Sequence, residues 1–255
     1  MNLKIKLFVI FITFLWMASC KKETSTLSRI DAKQIKIDST LATVDSIETY
    51  IAPYRKRINE VLDSTLTYAP KLITKELGTY NTAAGNLMAD IVLSEANPIF
   101  KSRTGKKIDF VLLNHGGIRS IISSGNVSAR TAYEVMPFEN SIVVVELSGK
   151  SVLEMVDFLI NSKRAHPIAG MQIILDRENR LKSLKIQNKP FIEKRNYFVA
   201  TSDYLVTGGD DMGFFRDTLN STSTDYLIRN AMIDYFKKVD TVKSAIDDRF
   251  YKLKK

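Results

Sequence analysis

The feature that most constrains this chain is an apolar run that breaks into a glycine turn carrying polar side chains. The run Phe110–Leu113 is followed at once by Asn114-His115-Gly116-Gly117-Ile118-Arg119. Its length and apolar character predict a buried strand that ends in a loop. Glycines let backbone amides approach a ligand closely, and a guanidinium can fork onto phosphate or sugar oxygens. Two interpretations stay open, a ligand-binding loop or a plain strand connection with a solvated arginine.

A second strand-like run also ends in a glycine turn. Phe198–Leu205 is followed, after Val206, by Thr207-Gly208-Gly209-Asp210-Asp211. The two turns therefore offer groups of opposite charge, Arg119 and Asp210. Such a pair suits a ligand with both an anionic and a hydroxyl-bearing part, and a nucleotide is such a ligand.

Four motifs, in this order, resemble the C-terminal domain of the 5′-nucleotidase / UDP-sugar hydrolase family. They are Ala84–Asp90, Asn114–Arg119, Val135–Asn140 and Thr201–Asp210. The succession of predicted helices, strands and hairpins independently indicates an α+β fold. The resemblance implies a single layered domain over residues 39–255, with a mixed sheet and packed helices.

The resemblance also implies which residues hold a nucleotide. Two aromatic side chains would sandwich the base, an amide and a guanidinium would contact base and ribose or phosphate, and a carboxylate would bind ribose hydroxyls. In that order these are Phe138 and Tyr204, Asn114 and Arg119, and Asp210, with Gly116, Gly117, Gly208 and Gly209 shaping the loops. The alternative for both aromatic residues is core packing. Their positions after Pro137 and before Gly208 favour the binding role.

The sequence departs from the family pattern at three places. Family members often carry a further arginine shortly before the first motif, where this chain has Gly78-Thr79-Tyr80. His115 and Asp211 stand where glycine is usual, and His115 is either an added phosphate contact or a solvated loop residue. The helix start at Ala84-Gly85-Asn86 is likewise either an anion site or a point of close packing, and packing is favoured.

Metal chemistry is not expected within this chain. Its two histidines, His115 and His166, stand alone, without H-x-H or H-E-x-x-H spacing. The resemblance implies hydrolysis by two metal ions on an N-terminal metallophosphatase domain, and the segment after Cys20 is too short to hold one. We therefore predict no catalytic residue, metal or other cofactor here, and divalent metals on a partner metallophosphatase chain.

The first twenty residues resemble a bacterial lipoprotein leader. Lys4 and Lys6 precede the apolar run Leu7–Met17, and small residues lead to Cys20. The predicted organisation is a signal peptide over residues 1–19, a lipidated Cys20 and a tether over residues 20–38. This predicts a cell-envelope protein, anchored to a bacterial membrane and facing away from the cytoplasm. The alternative is an ordinary secretory signal with an incidental cysteine.

The positive charge of this chain bears on its class of function. Removing Lys4 and Lys6 from the formal net charge of +9 leaves +7, spread along the chain rather than clustered. This distribution does not favour nucleic-acid binding. Two hypotheses remain, namely the nucleotide-binding subunit of a split 5′-nucleotidase and a non-catalytic nucleotide- or nucleoside-binding lipoprotein.

Apolar periodicity predicts the main secondary structure elements. The predicted helices are residues 39–63, 83–96, 129–135, a helix capped by Ser151 with Glu154, and 224–237. The first helix either kinks at Pro53 or starts just before it, and Asn97-Pro98 ends the second. The predicted strands include a short one within residues 64–77, a central one at 141–147 and a hairpin of 171–175 and 181–186.

Overall fold

The computed structural model describes residues 3–17, 27–38 and 40–254. These residues form two compact units, with the boundary after Tyr50. The first unit contains helix α1 (Leu3–Met17) and the segment 27–38, which forms no helix or strand. No helix in the described ranges is both long and apolar enough to cross a membrane. Cys20 lies outside the described residues.

Helix α2 (Asp45–Asp63) is shorter than the predicted helix and contains Pro53 in its interior. The alternative in which the helix starts just before the proline is therefore wrong. None of its residues is buried.

The second unit carries the remaining helices and strands. The helices are α3 (Ala83–Thr104), α4 (Ala129–Val135), α5 (Gly149–Asn161), α6 (Asp203–Val206) and α7 (Ile228–Lys238). The strands are β1 (Thr65–Ala69), β2 (Phe110–Leu112), β3 (Gly125–Ser128), β4 (Ser141–Leu147), β5 (Ile168–Ala169), β6 (Met171–Leu175), β7 (Leu181–Ile186), β8 (Lys189–Pro190), β9 (Tyr197–Ser202), β10 (Asn220–Leu227) and β11 (Phe250–Lys252).

The strands form a mixed central sheet and two smaller sheets. The central sheet has five strands in the order β10-β4-β9-β2-β5, in which only β9 and β2 are parallel neighbours. A four-stranded sheet has the order β11-β6-β7-β8, and β1 pairs with β3. This is the mixed-sheet α+β fold that the sequence predicts.

Strand β2 of the central sheet is buried on both faces, and its consecutive residues point to opposite sides of the sheet. Val111 of β2 packs into a core formed with α3, α4 and α7, whereas Phe110 and Leu112 pack into a second core with α5, β6 and β7. Two cores on one sheet explain why β2 is apolar at every position. They hold the loops at the strand ends on a rigid base.

Three further predicted helix boundaries are wrong. Helix α3 continues through Pro98 to Thr104, because buried Phe100 extends its packing face. Gly105, with a φ of 72°, caps its C-terminus. Helix α5 is capped by Ser148, whose hydroxyl oxygen accepts a hydrogen bond from the Ser151 amide at 3.1 Å.

The other boundary concerns the last helix. The sequence predicts a helix that begins at residue 224, but residues 224–227 complete β10. The Thr224 hydroxyl donates to the Ile142 carbonyl of β4 at 2.6 Å. Strand pairing with β4 thus overrides the apolar periodicity of this segment.

Candidate functional site

The site elements meet at one edge of the central sheet because of strand direction. Parallel β2 and β9 both end at this edge, so the two glycine turns that follow them are neighbours. Strand β4 runs antiparallel to β9, with Ile142 opposite Ser202, so the residues before β4 arrive at the same edge. Strand β5 is antiparallel to β2 and likewise begins there, with Ile168 opposite Leu112.

A cavity of about 360 Å³ lies at this edge. We call it the aromatic cavity, and its lining residues are Asn114, Gly116, Gly117, Arg119, Phe138, Asn140, Arg164, Tyr204 and Asp210. All five side chains that the sequence predicts to bind a nucleotide thus line one cavity. Phe138 is 41% exposed and Tyr204 is 44% exposed, which excludes core packing for both rings.

The two glycine turns are joined by a carboxylate. The Asn114 side-chain amide donates to Asp210 Oδ2 at 2.7 Å, and the Tyr204 hydroxyl donates to Asp210 Oδ1 at 3.3 Å. Asp210 has a φ of 53° and Asp211 one of 58°, a left-handed conformation that aspartate tolerates better than most residues. The conformation of this turn therefore places the Asp210 carboxylate against the other loop.

Although the sequence predicts a strand at Tyr204, this residue lies in the helical turn α6 that follows β9. The hydroxyl oxygen of Ser202 caps this turn by accepting from the Leu205 amide at 3.4 Å. Gly209 lies directly against the tyrosine ring, since a Cβ atom built on it would be 2.4 Å from Tyr204 Cε1. The missing side chain at position 209 is what leaves room for the ring.

Replacing Gly209 by alanine is therefore expected to displace the Tyr204 ring without unfolding the protein, because a side chain rather than backbone must move. We expect adenosine affinity to fall about fivefold, less than for full loss of a stacking ring. Isothermal calorimetry measures the affinity, and thermal unfolding checks the fold. Gly213→Ala is the matched control, because a Cβ atom there has nothing within 4 Å. Equal affinities for both variants would contradict this account.

Phe138 is held through the main chain of its turn. Buried Arg229 donates from Nη1 to the carbonyl oxygens of Pro137 at 3.1 Å and of Phe138 at 3.3 Å. Its guanidinium also lies 4.2 Å from the centroid of the Tyr133 ring. Arg119 stands 5.9 Å from the centroid of the Phe138 ring on the cavity side. The phenyl ring thus projects from a turn that a buried cation fixes.

The two histidines lie together at the first glycine turn, to which His115 belongs. The His115 amide donates to Nδ1 of His166 at 3.3 Å, and Nδ1 of His115 lies 3.2 Å from the Ala165 carbonyl oxygen. Burial lowers the pKa of His166 to about 4 and also lowers the pKa of His115. Both rings are therefore neutral at pH 7, and each engages protein atoms.

A two-metal centre does not fit these residues. Among the described residues, no group of three or more histidine, cysteine, aspartate or glutamate side chains could hold a metal ion. In the histidine pair, His166 uses Nδ1 for the His115 amide and Nε2 for the Ser162 hydroxyl at 3.1 Å.

Sequence reasoning missed two lining residues of the aromatic cavity. Asn140 closes the motif Val135–Asn140, so the motif itself was a usable signal. Arg164 had no signal, because it lies in a polar connection after α5 and reaches the site only through the pairing of β5 with β2.

The start of α3 is a point of close packing, as the sequence favours. A Cβ atom built on Gly85 would lie 2.9 Å from Thr82 Oγ1 and 3.5 Å from the Pro167 side chain. The glycine there leaves room for these neighbours, which supports packing over an anion site.

A larger cavity of about 650 Å³ lies at the β6–β7 hairpin, far along the chain from the glycine turns. Three of its charged side chains pair with one another, Arg180 with Asp176 at 2.8 Å and with Glu178 at 3.1 Å. It brings together neither aromatic rings nor the predicted site residues. The aromatic cavity is thus the better candidate for a functional site.

Comparison with known proteins decides the family. The family model described as 5′-nucleotidase, C-terminal domain, matches residues 65–217, which include the aromatic cavity and more than half of the chain. The chain belongs to the 5′-nucleotidase C-terminal domain family. The sequence-based resemblance is confirmed by this match.

Relatives of this family member are longer proteins. Protein UshA of Escherichia coli is 27% identical over 139 residues, covering 53% of this chain and 25% of that protein. The silent protein UshA(0) of Salmonella typhimurium is 32% identical over 147 residues, covering 56% of this chain and 26% of that protein. The chain thus spans about a quarter of the length of these relatives.

A solved structure agrees with the fold. The 5′-nucleotidase precursor of Thermus thermophilus superposes with a TM-score of 0.68 at 20% identity, covering 83% of this chain and 44% of that one. At this identity the likeness establishes the fold of the 5′-nucleotidase C-terminal domain. It leaves the ligand to be argued from the cavity.

Proposed function

We propose that this chain is the substrate-binding component of a 5′-nucleotidase-type hydrolase in nucleotide catabolism. In this proposal the aromatic cavity holds the base and ribose of a nucleotide, and a separate metallophosphatase chain supplies the two metal ions. The observation that carries the proposal is the convergence of two exposed aromatic rings, a carboxylate and a guanidinium on one cavity. The membership of the 5′-nucleotidase C-terminal domain family supports it.

The chemistry of the cavity suits each part of a nucleotide. Phe138 and Tyr204 offer ring faces on which any base can stack. The Asp210 carboxylate can accept hydrogen bonds from two ribose hydroxyls, and the Asn114 amide that now donates to it can turn to the ligand. Arg119, exposed at the rim, offers a planar cation to the phosphate.

The proposal of a partner chain rests on the lack of a group of metal-binding side chains among the described residues. The described residues offer no metal cluster, and a hydrolase of this type needs a metal-bound hydroxide and a held phosphate. A metallophosphatase chain would supply both while this chain presents the substrate. The arrangement predicts that hydrolysis needs two chains.

We expect the purified chain alone to hydrolyse AMP negligibly in the presence of a divalent metal. Adding a metallophosphatase that co-purifies with it, or is encoded beside it, is expected to give phosphate release of at least about tenfold over that metallophosphatase alone, because binding energy positions the substrate. Phosphate release is measured by a colorimetric assay. The Tyr204→Ala chain, mixed with the same partner, is the matched control and should raise the rate less.

The outcomes separate the two function hypotheses. Equal rates with and without this chain, alongside measurable AMP binding, would overturn the hydrolase role and leave a nucleotide-binding envelope lipoprotein. Absence of AMP, adenosine and UDP-glucose binding would overturn both.

The proposed location follows from the leader. We expect Cys20 to be lipidated and the protein to fractionate with membranes, because one or more acyl chains bury their methylenes in the bilayer. Cys20→Ser should move the protein to the soluble fraction or leave it unprocessed, as followed by immunoblotting of cell fractions. An unchanged membrane fraction in the variant would count against the anchor.

A further inference from the structure

Helix α2 carries exposed apolar side chains that belong to neither hydrophobic core. They are Ile47, Ile51, Tyr54, Ile58 and Val61, and we call them the α2 stripe. Four of them are more than half exposed, and Ile51 is partly buried. Most of the stability of a helix in a folded protein comes from the packing of its apolar face, and the interior Pro53 weakens α2 further. We therefore expect another surface to cover the α2 stripe.

The spacing of the α2 stripe is that of a coiled-coil seam. Its successive members are four, three, four and three residues apart. This is the heptad pattern in which alternate members occupy the a and d positions. The a residues are Ile51 and Ile58, and the d residues are Ile47, Tyr54 and Val61. Such a seam fits a second helix, because each side chain inserts between four residues of the facing helix.

Helix α4 holds the end of α2 by a side that leaves the stripe open. Arg130 of α4 donates from Nη2 to Asn59 Oδ1 at 2.8 Å and to Asp63 Oδ2 at 3.1 Å. Consecutive residues of a helix are about 100° apart around its axis, so Asn59 lies about 100° from Ile58 and Asp63 about 160° from Val61. The two stripe residues in these last turns, Ile58 and Val61, therefore stay accessible to a partner helix.

We propose that the α2 stripe binds the α2 stripe of a second copy of this chain, with the two helices antiparallel. This inference goes beyond the proposed function and does not depend on the ligand. In the antiparallel register with the greatest overlap, each a position faces a d position of the other helix. The pairing is two-fold symmetric, so it closes on a dimer. The facing residues are Ile51 with Tyr54, Ile47 with Ile58, and Val61 with Val44, which directly precedes α2.

The charges beside the seam favour this arrangement. In the antiparallel pair Glu48 lies beside Arg55 of the second copy, and the symmetry forms this ion pair twice. In a parallel pair Arg55 would face Tyr50 and Glu48 would face Thr43, so the Glu48 carboxylates would meet no flanking cation. Shifting the antiparallel pair by one heptad would place Glu48 against Glu48 or Arg55 against Arg55. The opposite charges at positions 48 and 55 therefore select both the direction and the register.

Sedimentation equilibrium tests the association. The sample is the mature chain that we propose, without residues 1–19 and with Cys20→Ser, so that neither the leader nor an acyl chain can drive association. We expect a monomer–dimer equilibrium with a dissociation constant of about 10 μM, as for a small reversible interface. Monomers alone at about ten times that concentration would overturn the inference.

Two glutamate variants locate the interface. Ile58→Glu puts a charge into the seam from both copies and should raise the dissociation constant by about tenfold or more, because a buried charge without a partner is costly. Thr49→Glu is the matched control, since it adds the same charge to the opposite side of α2, and it should change the constant less than about twofold. Ile58 is 54% exposed in one copy, so its variant should keep a cooperative thermal unfolding transition. Equal effects of the two substitutions would contradict the inference.

Charge reversal tests the register. Glu48→Lys and Arg55→Glu should each raise the dissociation constant about fivefold, because each places like charges together twice. The chain with both substitutions restores opposite charges and should recover the original constant to within about twofold. A double variant that is as weak as the sum of the two single variants would show that positions 48 and 55 do not meet, and the proposed register would fall.

Disulfide formation tests the direction of the two helices. Chains with Ile47→Cys and with Ile58→Cys, both in the Cys20→Ser background, should cross-link with each other when they are mixed and oxidised, because these positions face each other only in the antiparallel pair. Each chain alone should stay uncross-linked. Cross-linking of each chain with itself would show a parallel pair and defeat the arrangement. A dimer that forms no cross-link in any of these samples would have its interface elsewhere, which would also defeat it.

Discussion

Replacing Tyr204 by alanine is expected to weaken nucleoside binding by about 1–3 kcal/mol, with little preference among bases, because stacking on an aromatic ring contributes about this much and tolerates any base. The ring is nearly half exposed at the cavity rim, so its removal leaves the hydrophobic cores unchanged. Calorimetry with adenosine and with uridine measures both the loss and its independence of the base.

The control for this prediction is Tyr204→Phe. It keeps the ring and removes only the hydroxyl that donates to Asp210 at 3.3 Å. Adenosine affinity should then stay close to that of the unmodified chain. If the alanine and phenylalanine variants bound adenosine equally well, the ring would have no part in binding.

The protein is expected to lose about 3 kcal/mol of folding stability through His166 as the pH falls from about 6.5 to about 4. Burial lowers the pKa of this side chain to about 4 in the folded state, against about 6.5 when unfolded. Between these values the unfolded chain takes up a proton that the folded chain refuses, so stability rises with pH and is lost on acidification. Urea unfolding at several pH values measures the slope.

His166→Gln isolates this contribution, because carboxylates also titrate near pH 4. Glutamine can still accept from the His115 amide, and the variant should show a flatter dependence of unfolding free energy on pH. His115→Gln should remove a smaller part of the dependence. An NMR titration of His166 in the unmodified chain gives its pKa directly, and a value near 6.5 would defeat the prediction even if the variant were unstable.

Local patterns predicted the parts of the fold that depend on near neighbours. The β6–β7 hairpin, α4 and β4 have the predicted bounds, because alternation and helical periodicity express burial along a single element. Pro98 shows the limit of this reasoning. The free-energy cost of a proline inside a helix depends on neighbouring residues of the chain. The packing of Phe100, which offsets this cost, depends on a sheet formed by distant residues.

The candidate site was predictable only where a motif marked it. Arg119 and Asp210 follow strands and could be placed at a strand end. Phe138 precedes β4 instead, and it reaches the same edge only because β4 runs antiparallel to β9. Arg164 depends in the same way on the register of β5 against β2, which no local pattern records.

Arg229 holds the turn before β4 through the main chain of that turn and not through the Phe138 side chain. Both of its hydrogen bonds to Pro137 and Phe138 end on carbonyl oxygens, which every amino acid provides. The side chain at position 138 can therefore change while the turn keeps its conformation. A single substitution there would alter the surface that we propose a base stacks on, so the ligand preference of the cavity can change in one mutational step without a new scaffold.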